Sequence, residues 1–139
     1  MTAGSLVNAD NTVGVGVDVV EVADFERISF DSNPAFYRRC FSESEIAYCR
    51  SKGSPARHFA ARFAAKEAAV KAASALVTLL PWDFEVERHS TGRPSLRLRH
   101  TIDAATRSLL EGHEVHVSLS HGETLATAFV ALCRVPRPA

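Results

Sequence analysis

The chain has 139 residues, 46% of them hydrophobic, the size and apolar content of one domain around one core. Its 16 basic and 16 acidic residues cancel, which excludes the basic balance of a nucleic-acid binder. No apolar run approaches the ~20 residues of a membrane span, and the polar Met1 to Thr12 lacks a signal peptide's basic start and apolar middle, so a cytosolic protein without a membrane partner is expected.

A flexible tail over residues 1–12 is expected to lead into a strand near 13–22. There Val13, Val15, Val17 and Val19 form one face, while Gly14, Gly16 and Asp18 form the other and invite close approach. A helical region from about Asp24 breaks at Asp31-Ser32-Asn33-Pro34 and resumes at Ala35. Ser42 and Glu45 have capping-box spacing, so the next helix starts there and ends near Lys52-Gly53-Ser54-Pro55. An Ala-rich helix follows from about Ala56 to Leu76. Beyond Pro81, the run Phe84 to Arg88, the turn Ser90-Thr91-Gly92-Arg93-Pro94 and the run Leu96 to Arg99 read as a hairpin. Thr101 or Asp103 can cap a short helix carrying Ile102, Ala105 and Leu109. The runs Glu114 to Ser120 and Leu125 to Cys133, separated by His121-Gly122-Glu123-Thr124, read as a second antiparallel pair. The expected class is α+β, a single domain over 13–135 with an antiparallel sheet packed against the long Ala-rich helix and shorter helices, and a tail over 136–139.

The chemistry concentrates on the Ala-rich helix. Phe59, Phe63, Glu67 and Lys71 form one slowly rotating row, so an apolar stripe that should face the core ends in two charges. Glu followed by Lys at i+4 is also an ordinary surface ion pair, contributing about 0.3–0.5 kcal/mol. Asp18 tips the balance: if the helix lies over Gly14 and Gly16, Asp18 comes near Glu67. Two carboxylates beside a lysine read as a Mg²⁺ site that receives a phosphate. Other motifs fail on geometry. Gly14-Val15-Gly16 lacks the third glycine of a dinucleotide loop and lies within a strand. His113 and His116 are three apart on a strand and point to opposite faces. Arg97 and Arg99 alternate with leucines as the wet face of a strand. Cys40, Cys49 and Cys133 lack Cys-x-x-Cys spacing and read as reduced structural thiols.

Gly14-Val15-Gly16-Val17-Asp18-Val19-Val20-Glu21, Arg62-Phe63-Ala64-Ala65-Lys66-Glu67-Ala68-Ala69-Val70-Lys71 and Val115-His116-Val117-Ser118-Leu119-Ser120-His121 stand in an order that resembles the holo-[acyl-carrier-protein] synthases, the small 4′-phosphopantetheinyl transferases. Phe41-Ser42-Glu43-Ser44-Glu45 and Gly92-Arg93-Pro94 extend the resemblance, which runs from about Val13 to Leu132. It implies the transferase fold and transfer of the phosphopantetheine arm of coenzyme A, the substrate, to a serine of an apo acyl carrier protein, in fatty acid biosynthesis. The product left behind is adenosine 3′,5′-bisphosphate.

By that resemblance Asp18 and Glu67 hold Mg²⁺, Asp18, Glu67 and Lys71 are catalytic, and Glu67 or a water on the metal takes the serine proton. Arg62 and His58 could reach the nucleotide phosphates, although an outward Arg62 paired with a glutamate is an equally simple account. Pro94 matches a position against the adenine; Ser120 and His121 match a phosphate contact near a subunit boundary, where a bare strand-end histidine would otherwise be a hydrogen-bonding cap. Family members of this size are homotrimers with active sites between subunits. One position departs from the pattern: Asp24 stands where the family carries an arginine that grips an acidic carrier helix. Arg27 and Arg39 are left as a displaced basic patch for the partner, which is an acyl carrier protein or a carrier domain within a larger synthase. A Mg²⁺-dependent phosphohydrolase and a non-catalytic coenzyme A binding module are the rival readings.

Overall fold

The computed structural model describes residues 10–136. Alternation of valine with glycine builds the first strand, β1 (Thr12–Glu21). Its register slips between Thr12 and Gly14, so Val13 is the extra residue of a β-bulge and packs against the core. The expected face of four valines therefore holds three: Val15, Val17 and Val19, each more than half exposed. The Asn11 carbonyl accepts from the Arg134 amide, so the chain is tied down two residues before the expected strand start. The rest of the expected N-terminal tail, residues 1–9, and residues 137–139 of the C-terminal one lie outside the described residues.

Four helices follow: α1 (Val22–Arg27), α2 (Pro34–Cys40), α3 (Glu43–Arg50) and the long α4 (Pro55–Ala73). The α3 capping box forms as expected: the Ser42 hydroxyl accepts from the Glu45 amide, and the Glu45 carboxylate accepts from the Ser42 amide. Strands β2 (Phe84–Arg88) and β3 (Pro94–Leu98) make the hairpin, with Gly92 at φ 85° in its turn, a backbone region that favours glycine. Asp103, rather than Thr101, caps α5 (Ala104–Leu110), its carboxylate accepting from the Thr106 amide at 2.8 Å. Strands β4 (His113–His121) and β5 (Leu125–Arg134) complete an antiparallel sheet of order β1-β5-β4. No helix among the described residues is long and apolar enough to cross a membrane.

Helix α4 lies on the glycine face of β1. A Cβ on Gly14 would overlap the carbonyl oxygen of Ala72, and one on Gly16 that of Ala68, so only glycine admits this approach. Ala64, Ala65, Ala68, Ala69, Ala72 and Ala73 pack there against Ala128, Val130 and Leu132 of β5. Val115, Val117 and Leu119 of β4 pack against the same cluster, so the β4 face is covered. A second core joins α1, α2 and the start of α4 through Phe25, Tyr37, Phe41 and Phe59. The opposite face of the sheet stays bare: Val17 pairs in register with Phe129, and both are exposed.

One buried charge holds the layers together. Lys66 of α4 is 0% exposed, and its Nζ donates to Glu45 Oε1 at 2.7 Å and to the carbonyls of Cys40 and Phe84, both at 2.9 Å. The second carboxylate oxygen of Glu45 accepts from the Val86 amide at 3.2 Å. Burial pushes the Lys66 pKa down and the adjoining carboxylate opposes it, as a paired interior ammonium requires.

Candidate active site

Two groups of functional side chains flank α4. The first lies at the β1 edge. Because Gly14 faces Ala72 and Gly16 faces Ala68, strand and helix run in opposite directions, which brings Asp18 to the turn carrying Glu67 and Lys71. Lys71 Nζ donates to the Val17 carbonyl at 3.0 Å and to Asp18 Oδ1 at 3.2 Å. The ion pair therefore crosses from helix to strand instead of running along the helix, which overturns the simple Glu67–Lys71 surface pair. Burial first, and the Asp18 carboxylate second, raise the Glu67 pKa against the opposing pull of Lys71.

The row of Phe59, Phe63, Glu67 and Lys71 turns away from the core along its length. Four-residue steps drift by about 40° on a helix, so the row leaves the aromatic core at Phe59, passes half-buried Phe63 and Glu67, and reaches solvent at Lys71. The charge on α4 that does face the core is Lys66. At the β1 edge the donor set fits a hard divalent cation: two oxygen-only carboxylates whose like charges raise the proton affinity of one of them. Val19, Val20, Glu21, Asp24, Phe25 and Phe63 help to line a groove of about 530 Å³ alongside.

The second group surrounds a cavity of about 170 Å³ lined by His58, Ala61, Arg62, Arg88, Pro94, Leu119 and His121. It brings together four residues the sequence singles out, His58, Arg62, Pro94 and His121, from helix, hairpin and strand. Arg62 is 3% exposed, and its buried Nε has no partner. Among the described residues no carboxylate pairs with Arg62 or Arg88, so an outward Arg62 bound to a glutamate is ruled out. The rings of His58 and His121 meet edge to face at 4.9 Å. The His58 pKa is pushed down to about 4, by burial first and then by the charges of His121, Arg62, Lys52 and Arg88. Concentrated positive charge with an orphaned guanidinium nitrogen suits an anion.

Arg88 was missed in the sequence. Its signal is its place at the end of β2, beside the turn that carries Pro94. Ser120 does not join the cavity: it precedes His121 on β4, points to the other sheet face and is exposed. Of the basic patch, Arg27 pairs with Asp24 one helical turn back, and Arg39 lies with its guanidinium 4.9 Å from the Trp82 ring centroid. Both are exposed.

Arg62 and Glu67 are five positions apart, about 140° around the helix. None of Asp18, Glu67 and Lys71 lines the cavity, so the two groups lie apart, on opposite flanks of α4.

The model of the 4′-phosphopantetheinyl transferase superfamily matches residues 14–130. A holo-[acyl-carrier-protein] synthase of Geobacter sp. (strain M21) is 42% identical over 87% of this chain and 98% of its own length. One of Anaeromyxobacter sp. (strain K) is 46% identical over 86% and 94%. Among solved structures, the acyl carrier protein synthase of Mycobacterium tuberculosis superposes with a TM-score of 0.64 at 34% identity, covering 90% of this chain and 99% of its own. The Chronobacterium ammoniagenes enzyme in complex with CoA gives 0.69 at 30% identity, with coverage of 89% and 98%.

Proposed function

The chain belongs to the 4′-phosphopantetheinyl transferase superfamily as a holo-[acyl-carrier-protein] synthase, and from that premise we propose that it transfers the 4′-phosphopantetheine arm of coenzyme A to a serine of an apo acyl carrier protein. The acceptor hydroxyl forms a new oxygen–phosphorus bond to the arm, the pyrophosphate linkage breaks, and adenosine 3′,5′-bisphosphate leaves. The work serves fatty acid biosynthesis in the cytoplasm. A carrier domain of a larger synthase is the alternative acceptor, because Asp24, paired here with Arg27, stands where the family carries an arginine.

The observation that carries this reading is the convergence of Asp18, Glu67 and Lys71 at the β1 edge. Asp18 and Glu67 would hold Mg²⁺, which supplies positive charge to the phosphate oxygens when bound. Lys71 Nζ, already directed at Asp18, neutralises charge that develops on the leaving phosphate. Glu67, or a water beside it at that edge, would take the serine proton. His58, Arg62, Arg88 and His121 grip the phosphates at the nucleotide end, and Pro94 packs against the base. Arg39, and Arg27 beyond its bond to Asp24, meet the carrier.

Since the two half-sites flank α4 on opposite sides, we assign one working site to two neighbouring subunits. The bare face of Val15, Val17, Val19 and Phe129 supports a homotrimer, in which it would be covered.

Intact-mass measurement tests the reaction. Apo acyl carrier protein incubated with the protein, coenzyme A and Mg²⁺ should gain the mass of one phosphopantetheine arm; EDTA and Glu67→Ala should abolish the gain. Release of free phosphopantetheine with an unmodified carrier, also with a carrier domain excised from a large synthase, would make the protein a hydrolase and end the proposal.

A further inference from the structure

Tyr48 lies on α3, outside both half-sites, and is not a wall of the cationic cavity. Two of that cavity's cations, and Lys52 from outside its wall, are nevertheless arranged around it. The Arg62 guanidinium stands 4.1 Å from its ring centroid, the Lys52 ammonium 4.6 Å and the Arg88 guanidinium 5.5 Å. His58 packs edge-on against the same ring at 5.9 Å. The Tyr48 hydroxyl accepts from Arg88 Nη1 at 2.6 Å, and Arg88 Nη2 donates to the Gly92 carbonyl at 2.8 Å. Gly92 sits two residues before Pro94 in the hairpin turn, so a continuous path leads from α3 to that wall of the cavity.

Among the described residues no carboxylate pairs with these three cations, and they repel one another. The negative faces of an aromatic ring offset that repulsion at the one place where Lys52, Arg62 and Arg88 all come close. The buried, unpartnered Nε of Arg62 supplies an independent sign that the arrangement awaits an acceptor atom.

We propose that Tyr48 is a positioning residue for the nucleotide end of coenzyme A: its ring holds Arg62 and Lys52, and its hydroxyl, through Arg88 and Gly92, holds the turn that carries Pro94. The inference rests on the function proposed above. Tyr48 touches no substrate; it aligns the cations before the ligand arrives, which lowers the ordering cost of binding. Its removal therefore weakens ground-state and transition-state binding alike, a signature that falls on KM.

The test uses the full chain with coenzyme A and apo acyl carrier protein. Tyr48→Phe keeps the ring and should raise KM for coenzyme A about threefold, whereas Tyr48→Leu loses ring and hydroxyl and should raise it about tenfold, with kcat and the carrier's KM changed by less than about twofold. In an Arg88→Ala background, Tyr48→Phe should add nothing, because the hydroxyl acts through that guanidinium. An unchanged KM for coenzyme A in Tyr48→Leu, or an equal loss in all three parameters with a lowered thermal midpoint, would overturn the assignment. So would additivity of Tyr48→Phe and Arg88→Ala, which remains measurable if Tyr48→Leu fails to fold. If the wild-type protein transfers no arm, the function falls instead, and calorimetric titration with coenzyme A decides Tyr48 by the same expected ratios.

Discussion

At the residue scale, the environment of His58 makes a pH prediction. Its folded pKa, about 4, lies below the ordinary 6.5, so the proton binds the unfolded chain more readily. The stability it contributes is present above 6.5 and is lost as pH falls toward 4. Thermal midpoints measured across that window should therefore fall less steeply in His58→Phe than in the wild type; parallel curves would show that neither burial nor the charges of His121, Arg62, Lys52 and Arg88 depress it. The sequence anticipates the meeting of Asp18 with Glu67 and Lys71 from the glycine face of β1, whereas His58, Pro94 and His121 are singled out only through the family resemblance. Arg88, Tyr48 and Lys66 were not legible, because their roles arise from partners far along the chain. The Arg88 bond to Tyr48 joins residues 40 positions apart, and no local period records it.

At the scale of elements, two devices hold α4 where the half-sites need it. The first is the absence of side chains at Gly14 and Gly16. Gly16→Ala should cost about 3 kcal/mol or more, because the overlapping atom is the Ala68 carbonyl oxygen, which cannot move without shifting the helix. A denaturant midpoint equal to that of the wild type would refute this packing. The second device is the Lys66–Glu45 pair. Lys66→Met alone strands a buried carboxylate and should cost about 3–5 kcal/mol, while adding Glu45→Leu should return part of that loss. A double variant less stable than the single would show that the bonds Glu45 makes to the Ser42 and Val86 amides outweigh the stranded charge. The glycine approach was legible as a pattern. Glu45 was legible only as a helix cap, since the capping box explains its spacing and conceals its second duty to Lys66 and Val86. The Val13 bulge left no trace in an unbroken valine alternation, because the register is set against β5.

At the scale of the whole molecule, the half-sites on opposite flanks of α4 predict active-site sharing. Glu67→Ala and Arg62→Ala subunits, each inactive alone, should regain about a quarter of wild-type activity when mixed and reassembled, since each shared site draws one intact half at random from each of two subunits. No recovery would confine the site to one chain. Val17→Glu, placed on the bare sheet face, should shift the protein to monomer in light scattering and remove activity with it. The α+β class and the order of elements were legible in the sequence from periodicity and turn chemistry. Which sheet face stays bare was legible only in part, because the valine and leucine runs of β1 and β4 look alike until α4 chooses a side. The strand order also governs how the protein comes into being. β5, the last strand in chain order, is the middle one of its sheet, and Leu125 finds Glu21 about a hundred residues earlier. At about 5–20 residues per second on the ribosome, β1 waits roughly 5–20 s with an unpaired, valine-rich edge. That interval leaves the edge open to pairing with other chains, and it ends only when the strand that joins both sheet edges has been made.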